Sequence, residues 1–163
     1  MILVSACLVG HKVRYNGGAD AHELLMKYNQ KGNFIAICPE CLGKLPIPRP
    51  PAEIINGSGQ EVLAGTAKIM SKLADDVTMN FVTGAETLLT IAVQYGVKAA
   101  ILKERSPSCG VHQIYDGTFS GTKIVGQGVA AALLSQRGIK LYSEEDITEQ
   151  MLKDLGAAET NEG

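Results

Sequence analysis

Four cysteines are the residues of this chain whose side chains best suit metal or redox chemistry. Cys7, Cys38 and Cys109 each follow a short apolar run, and Cys41 completes a Cys-x-x-Cys pair with Cys38. Thiolates hold zinc and iron–sulfur centres, and paired thiols can carry redox chemistry. The spacing leaves three kinds of site open: a cluster on three cysteines, a closed site on all four, or a redox pair at Cys38 and Cys41.

The elements that must position these cysteines follow an alternating pattern. Apolar runs predict strands, and 3.6-residue periodicity with terminal break signals predicts helices. The predicted strands are 2–6, 34–38, 99–103 and 140–142, and the predicted helices are 19–31, 75–95 and 129–136. Strands alternating with helices indicate an α/β fold: a single compact domain with a mostly parallel, Rossmann-like sheet and flanking helices. Since the carboxyl ends of parallel strands share one sheet edge, Cys7, Cys38 and Cys109 are expected to lie together.

Other segments are predicted with less regular structure. Asp116-Gly117, between β-prone residues of 113–119, predicts a small tight β-hairpin. The prolines within 43–52 predict an extended loop, and 60–72 is ambiguous, with a hairpin as one interpretation. We expect one domain over 1–156 and a flexible C-terminal tail over 157–163.

Composition narrows the class of protein. The chain has 163 residues with 45% hydrophobic content, which suits a single core. Its 15 basic and 17 acidic side chains give a net charge of −2, too small for a phosphate-driven footprint on long nucleic acid. The apolar N-terminal run is short and lacks a basic lead-in, so neither a signal peptide nor a membrane span is expected. These features predict a cytoplasmic protein with a small substrate.

Polar residues near the cysteines are candidates for catalysis. Glu40 lies two residues past Cys38 and is the best candidate general acid or base, against the alternative of a solvated or arginine-paired carboxylate. Ser106 and Ser108 immediately precede Cys109. Their hydroxyls could orient water or contact substrate, or bond nearby backbone in an ordinary turn. Ser106 is the stronger candidate for catalysis and Ser108 for substrate binding.

Further candidates could bind the body of a substrate. Arg14, Tyr15 and Arg49 could hold a phosphate or a carbonyl oxygen, although loop arginines are usually solvated. Gly126 and Gly128 precede the helix at 129–136, where glycine N–H groups can cradle phosphate. Because the full dinucleotide fingerprint is absent, a tight turn into the helix is an equal alternative.

Five ordered motifs together carry a family resemblance from Ile2 to Ser143. They are Ser5-Ala6-Cys7-Leu8, Arg14-Tyr15-Asn16-Gly17, Cys38-Pro39-Glu40, Pro48-Arg49-Pro50 and Ser106-Pro107-Ser108-Cys109-Gly110. With these motifs the chain resembles the thiouracil desulfidases, a family formerly known as a domain of unknown function. Many members of that family have a cysteine where this chain has Val13. That position therefore supplies no essential ligand here.

The resemblance implies a 4Fe-4S cluster on Cys7, Cys38 and Cys109, with the fourth iron left for substrate sulfur. It implies an enzyme that converts 4-thiouracil or 4-thiouridine monophosphate to the uracil form plus hydrogen sulfide without net redox change. Cys41 is not carried over by the resemblance. The expected partner is a small thiolated base or nucleotide, with a thiolated RNA left open as a substrate.

Overall fold

The structure is a computed structural model that describes residues 1–156, and the predicted tail at 157–163 lies outside them. Its strands are β1 Ile2–Ser5, β2 Phe34–Ile37, β3 Ala52–Ile55, β4 Lys68–Ser71, β5 Ala99–Leu102, β6 Gln113–Tyr115, β7 Lys123–Val125 and β8 Lys140–Ser143. Its helices are α1 Glu23–Asn29, α2 Pro39–Leu42, α3 Gly59–Ala64, α4 Thr78–Gln94, α5 Val129–Gln136 and α6 Glu149–Asp154, with a 3₁₀ helix over Ala6–Val9.

A four-stranded parallel sheet forms the centre of the molecule, in the order β2-β1-β5-β8. Strand side chains alternate between its faces. On one face Leu3 and Leu102 pack against α4 and α5, and on the other Val4 and Ile101 pack against α1 and α6. Helices on both faces of a parallel sheet confirm the predicted α/β fold. Within residues 1–156, no helix is both long and apolar enough to cross a membrane.

Two antiparallel ribbons flank this sheet. β6 pairs with β7 as predicted, but the strands are joined by the seven residues 116–122, so the tight turn predicted at Asp116-Gly117 is wrong. Asp116 instead accepts hydrogen bonds from the backbone and hydroxyl of Thr118, which starts a longer loop. The ambiguous segment 60–72 contains most of α3 followed by β4, and β4 pairs with β3.

Glycines bring α2 against α4. A Cβ on Gly84 of α4 would overlap the carbonyl oxygen of Pro39, and a Cβ on Gly43 would overlap the carbonyl oxygen of Asn80. The apolar face of α4, with Phe81 and Leu88, is meanwhile buried in the core. This close packing fixes α2, which follows Cys38 and carries Glu40.

Candidate metal centre and substrate pocket

Cys7, Cys38 and Cys109 line a single cavity of about 210 Å³ beyond the carboxyl ends of three adjacent strands. Cys7 lies in the 3₁₀ helix after β1, Cys38 is the N-cap of α2 directly after β2, and Cys109 follows β5 by seven residues. The thiols of Cys7 and Cys109 are buried, with 7% and 4% of these residues exposed. The structure therefore brings together the three predicted cysteines by the topology of the parallel sheet.

The loop that carries Cys109 is stabilised by its own serines. The Ser106 hydroxyl oxygen accepts hydrogen bonds from the backbone N–H groups of Ser108 and Cys109, each at 3.1 Å. The Ser108 hydroxyl donates to Sγ of Cys109 at 3.6 Å. Ser106 lines the cavity, whereas Ser108 does not and is fully buried. Ser108, which the sequence analysis assigned to substrate binding, therefore contacts Cys109 and not the cavity.

Glu104, which sequence reasoning missed, fixes the same loop from inside. One carboxylate oxygen accepts hydrogen bonds from the backbone N–H groups of Val111, His112 and Gln113 at 2.9, 2.9 and 3.1 Å. The same oxygen accepts from the N–H of Arg105 at 3.3 Å, and Glu104 is only 2% exposed. A carboxylate seven to nine residues from its partners has no local sequence signature. It acts here as a clamp on both ends of the Cys109 loop.

Burial dominates the acidity of the three thiols. It raises the pKa of Cys7 to about 12 and of Cys109 to about 11, and it raises the pKa of Cys38 as well. For Cys109 the hydroxyls of Ser5, Ser108 and Ser106 oppose this effect. As free thiols these cysteines are unlike the low-pKa thiolates of redox and nucleophilic enzymes. The redox-pair interpretation gains no support.

Cys41 lies in α2 and does not line the cavity of the other three cysteines. Its backbone N–H favours the thiolate form of Cys38, which lowers the pKa of that thiol against the larger effect of burial. Cys41 therefore supports its neighbour through the main chain, and its own sulfur is not part of the pocket lining.

The donor set suits a cluster better than a single ion. In the described part of the chain, no group of three or more His, Cys, Asp or Glu side chains is placed to hold one metal ion. In an iron–sulfur cluster each thiolate binds a different iron, so the ligands surround a cavity rather than meet at one point. Three thiols around one cavity, with the Ser108 hydroxyl donating to the sulfur of Cys109, fit this chemistry.

Glu40 lines the same cavity and forms an ion pair with Arg49, at 3.3 Å between Oε2 and Nη2. Burial raises the pKa of Glu40, and the Arg49 guanidinium opposes this rise. The Arg49 side chain is only 4% exposed, does not line the cavity and also donates to the carbonyl oxygens of Pro46 and Val13 at 3.1 and 2.9 Å. The prediction that Arg49 contacts substrate is therefore not supported, since its donors hold Glu40 and the loops.

Arg14 and Tyr15, which were predicted to contact substrate, line the cavity. The Arg14 guanidinium lies 5.8 Å from the centroid of the Tyr15 ring, and Tyr15 is exposed. Lys103, a further lining residue that the sequence did not single out, is bound by Asp20 at 2.6 Å and Glu144 at 2.7 Å. Arg14 is therefore the cavity cation that is best placed to meet an anionic or carbonyl group.

Gly126 and Gly128 lie outside this cavity, which corrects the predicted phosphate cradle. Their N–H groups donate to the carbonyl oxygens of His112 at 3.0 Å and Gly110 at 2.9 Å. A Cβ on Gly128 would lie 2.5 Å from the carbonyl carbon of Ser108. These glycines permit α5 to pack against the Cys109 loop, which is the tight-turn alternative of the sequence analysis.

Fold and site together define an α/β protein with three thiols around a pocket at the carboxyl edge of its sheet. The model of the 2-thiouracil desulfurase family matches residues 2–146, and the chain belongs to that family. The uncharacterized protein YbbK of Bacillus subtilis (strain 168) is 49% identical over 149 residues, which cover 91% of this chain and 99% of that protein. The [4Fe-4S]-dependent thiouracil desulfidase TudS is similar in structure, with a TM-score of 0.78 and 38% identity over 98% of this chain and 97% of TudS.

Proposed function

We propose that this chain is a cytoplasmic thiouracil desulfidase that holds a 4Fe-4S cluster through Cys7, Cys38 and Cys109. The observation that carries the proposal is that these three cysteines and Glu40 line one cavity. The family match and the similarity to TudS support the same class of activity. All four cysteines are free thiols, which suits a reducing compartment.

The chemistry depends on a soft metal next to a carboxylate. When bound by three thiolates, such a cluster supplies an iron without a protein ligand, which can act as a Lewis acid toward substrate sulfur. The protein residues then bind the pyrimidine, exclude bulk water and transfer protons. Water adds its oxygen to the thiocarbonyl carbon, and the carbon–sulfur bond breaks. A thiocarbonyl and one water thus become a carbonyl and hydrogen sulfide, with no net electron transfer.

Glu40 is the proposed general acid or base. Its carboxylate can take a proton from the attacking water, or return one to the ring nitrogen or the departing sulfur. The buried Arg49 guanidinium holds this carboxylate at 3.3 Å and keeps it directed by hydrogen bonds to two loops. A carboxylate whose pKa is raised by burial is suited to carry protons in both directions.

Ser106, Arg14 and Tyr15 are proposed to contact the substrate at the remaining walls. Both lone pairs of the Ser106 hydroxyl accept backbone N–H groups, and its O–H meets the Ser108 hydroxyl at 2.9 Å. A bound substrate would compete with Ser108 for this one donor, through a ring oxygen or nitrogen. Arg14 is proposed to meet the second carbonyl or a ribose phosphate. Tyr15, exposed at the opening, offers a ring on which a planar base can stack.

The test begins with anaerobic purification and analysis of iron and acid-labile sulfide. About four of each per chain supports the cluster, whereas zinc or no metal contradicts the proposal. The loaded protein is then supplied with 4-thiouracil, 2-thiouracil and 4-thiouridine monophosphate. Loss of thiocarbonyl absorption together with release of sulfide measures turnover. The family description specifies 2-thiouracil, so the two isomers must be compared directly.

The non-redox nature of the reaction is tested in the same assay. Turnover should continue without a stoichiometric reductant, nicotinamide or flavin. A strict requirement for one electron pair per product would contradict the hydrolytic balance.

A further inference from the structure

Hydroxyl groups gather around one of the three thiols. The Ser108 hydroxyl donates to Sγ of Cys109 at 3.6 Å, in a fully buried contact. Within residues 1–156, no hydroxyl is hydrogen bonded to the sulfur of Cys7 or Cys38, and the Cys38 thiol itself donates to the Val13 carbonyl at 4.0 Å. The predicted ligands are therefore unequal in their surroundings.

The hydrogen-bond capacity of the two serines fixes the direction of the contacts. A serine hydroxyl has one proton and two lone pairs. Ser106 uses both lone pairs for the N–H groups of Ser108 and Cys109, so it can meet the Ser108 hydroxyl at 2.9 Å only as the donor. The Ser108 hydroxyl accepts this hydrogen bond and donates its own hydrogen bond to the Cys109 sulfur. The result is a directed chain from Ser106 through Ser108 to Cys109.

Such a chain strengthens its last bond, because a hydroxyl that accepts a hydrogen bond becomes a better donor. A hydrogen bond to a ligating sulfur draws electron density from it, and reduction potentials of iron–sulfur centres respond to these bonds. The chain begins at the cavity wall, since Ser106 lines the cavity, and ends at a ligand sulfur. A substrate that accepts the Ser106 hydrogen bond in place of Ser108 would therefore weaken the hydrogen bond from Ser108 to the Cys109 sulfur.

We propose that Ser108 is a positioning residue that, polarised by Ser106, withdraws electron density from Cys109 and raises the reduction potential of the cluster. This rests on the cluster ligation of the proposed function. It gives Ser108 a role in place of substrate contact: it keeps the cluster electron-poor and so favours capture of a thiocarbonyl sulfur at the open iron. Ser106, at the cavity wall, donates the hydrogen bond that polarises the Ser108 hydroxyl.

The experiment compares wild type with Ser108→Ala, Ser106→Ala and Ser120→Ala, each loaded anaerobically. Ser120 is an exposed serine in the 116–122 loop and is the matched control. Iron and sulfide content is measured first, and the midpoint potential is then followed by spectroelectrochemical titration. Ser108→Ala should shift the potential to a more negative value, Ser106→Ala should shift it less in the same direction, and Ser120→Ala should not shift it.

The outcomes separate the two proposals. A wild-type protein without iron and sulfide overturns the proposed function itself. Full clusters with the same potential in wild type and Ser108→Ala overturn the serine chain and leave the proposed function intact. If Ser108→Ala fails to fold or load, Ser106→Ala decides: a negative shift supports the chain, and an unchanged potential overturns it.

Discussion

Two loops that line the same cavity are held in different ways. The Cys109 loop, residues 105–113, is fixed from within by the side chains of Glu104 and Ser106, which accept hydrogen bonds from its backbone. The loop at 10–22 carries Arg14 and Tyr15 and has no buried residue. It is held mainly through its backbone, as in the bonds from the Arg49 N–H to the Tyr15 carbonyl at 2.7 Å and from the Arg14 N–H to the Gly18 carbonyl at 3.0 Å. The comparison separates a rigid ligand side from an accessible substrate side.

The largest effect should come from removing a ligand. Replacing Cys7, Cys38 or Cys109 singly by Ala should abolish or cripple cluster assembly, since each thiolate is one of three protein bonds to the proposed cluster. Iron and sulfide analysis with the visible spectrum measures this. Cys41→Ala is the matched control and should load normally, because Cys41 is outside the cavity lining. Full loading of Cys109→Ala would show the ligand assignment to be wrong.

The ligand side of this comparison was largely predictable from the sequence. Apolar runs ending near Cys7 and Cys38, with α/β alternation, were sufficient to predict the parallel sheet and its cysteine edge. Helix α3 was missed although Ser58-Gly59-Gln60-Glu61 has the capping-box pattern, in which the Ser58 N–H donates to Glu61 at 2.9 Å. The short length of α3, six residues, leaves little periodicity to detect.

Long-range contacts account for the rest of what the sequence did not predict. Glu104 accepts hydrogen bonds from backbone N–H groups up to nine residues away, and Arg49 binds Glu40 across a proline loop. Neither pairing follows a local period, so both depend on the finished fold. Gly128 was interpreted from a local phosphate-binding pattern, whereas its bond to Gly110 and its packing on Ser108 are tertiary.

Glu40→Gln should give the next largest effect, on turnover alone. The substitution keeps the shape and a hydrogen-bonding group for Arg49 but removes the base. General acid–base catalysis contributes about a hundredfold to ten-thousandfold, so the rate should fall on that scale with iron content unchanged. Glu86→Gln, at an exposed site on α4, is the control. Near-normal turnover by Glu40→Gln would remove this residue from the mechanism.

Glu104→Ala should test the rigid loop through stability. It leaves the buried N–H of Val111 and the partly buried N–H groups of His112 and Gln113 without their acceptor, which should lower the free energy of unfolding by about 2 kcal/mol. Glu104→Gln retains an acceptor oxygen and should lose less. Urea unfolding of the metal-free chain measures both variants. Equal stability of wild type and Glu104→Ala would refute the clamp.

Arg14→Ala should test the exposed loop through affinity and leave stability unchanged. Losing a charge-assisted hydrogen bond should raise KM for 4-thiouridine monophosphate by about tenfold. A smaller rise for the free base would indicate that Arg14 meets the phosphate, whereas equal rises would indicate contact with the ring carbonyl. Lys12→Ala is the control, since Lys12 is exposed and does not line the cavity. An unchanged KM for both substrates would contradict any substrate contact.

The smallest effect should come from His112, at the outer end of the rigid loop. Its Nε2 lies 2.7 Å from Oδ2 of Asp146, and this hydrogen bond raises the pKa of His112 above its ordinary value. A raised pKa in the folded state stabilises the protein below the unfolded pKa of about 6.5, and this contribution is lost as the pH rises through the folded pKa. Since more than half of the His112 side chain is exposed, the contribution should be only a few tenths of a kcal/mol.

His112→Gln should therefore lower the free energy of unfolding more at about pH 5.5 than at about pH 9, where the histidine of the folded wild type is neutral. Urea unfolding at the two pH values measures this difference, with His11→Gln as an exposed control. An equal loss at both pH values would mean that the ring contributes packing or a neutral hydrogen bond rather than charge. In that case the charge of the His112 ring would not help to hold the Cys109 loop. Glu104 and Ser106 would still hold it, since the hydrogen bond from the His112 backbone N–H to Glu104 does not depend on the protonation of the ring.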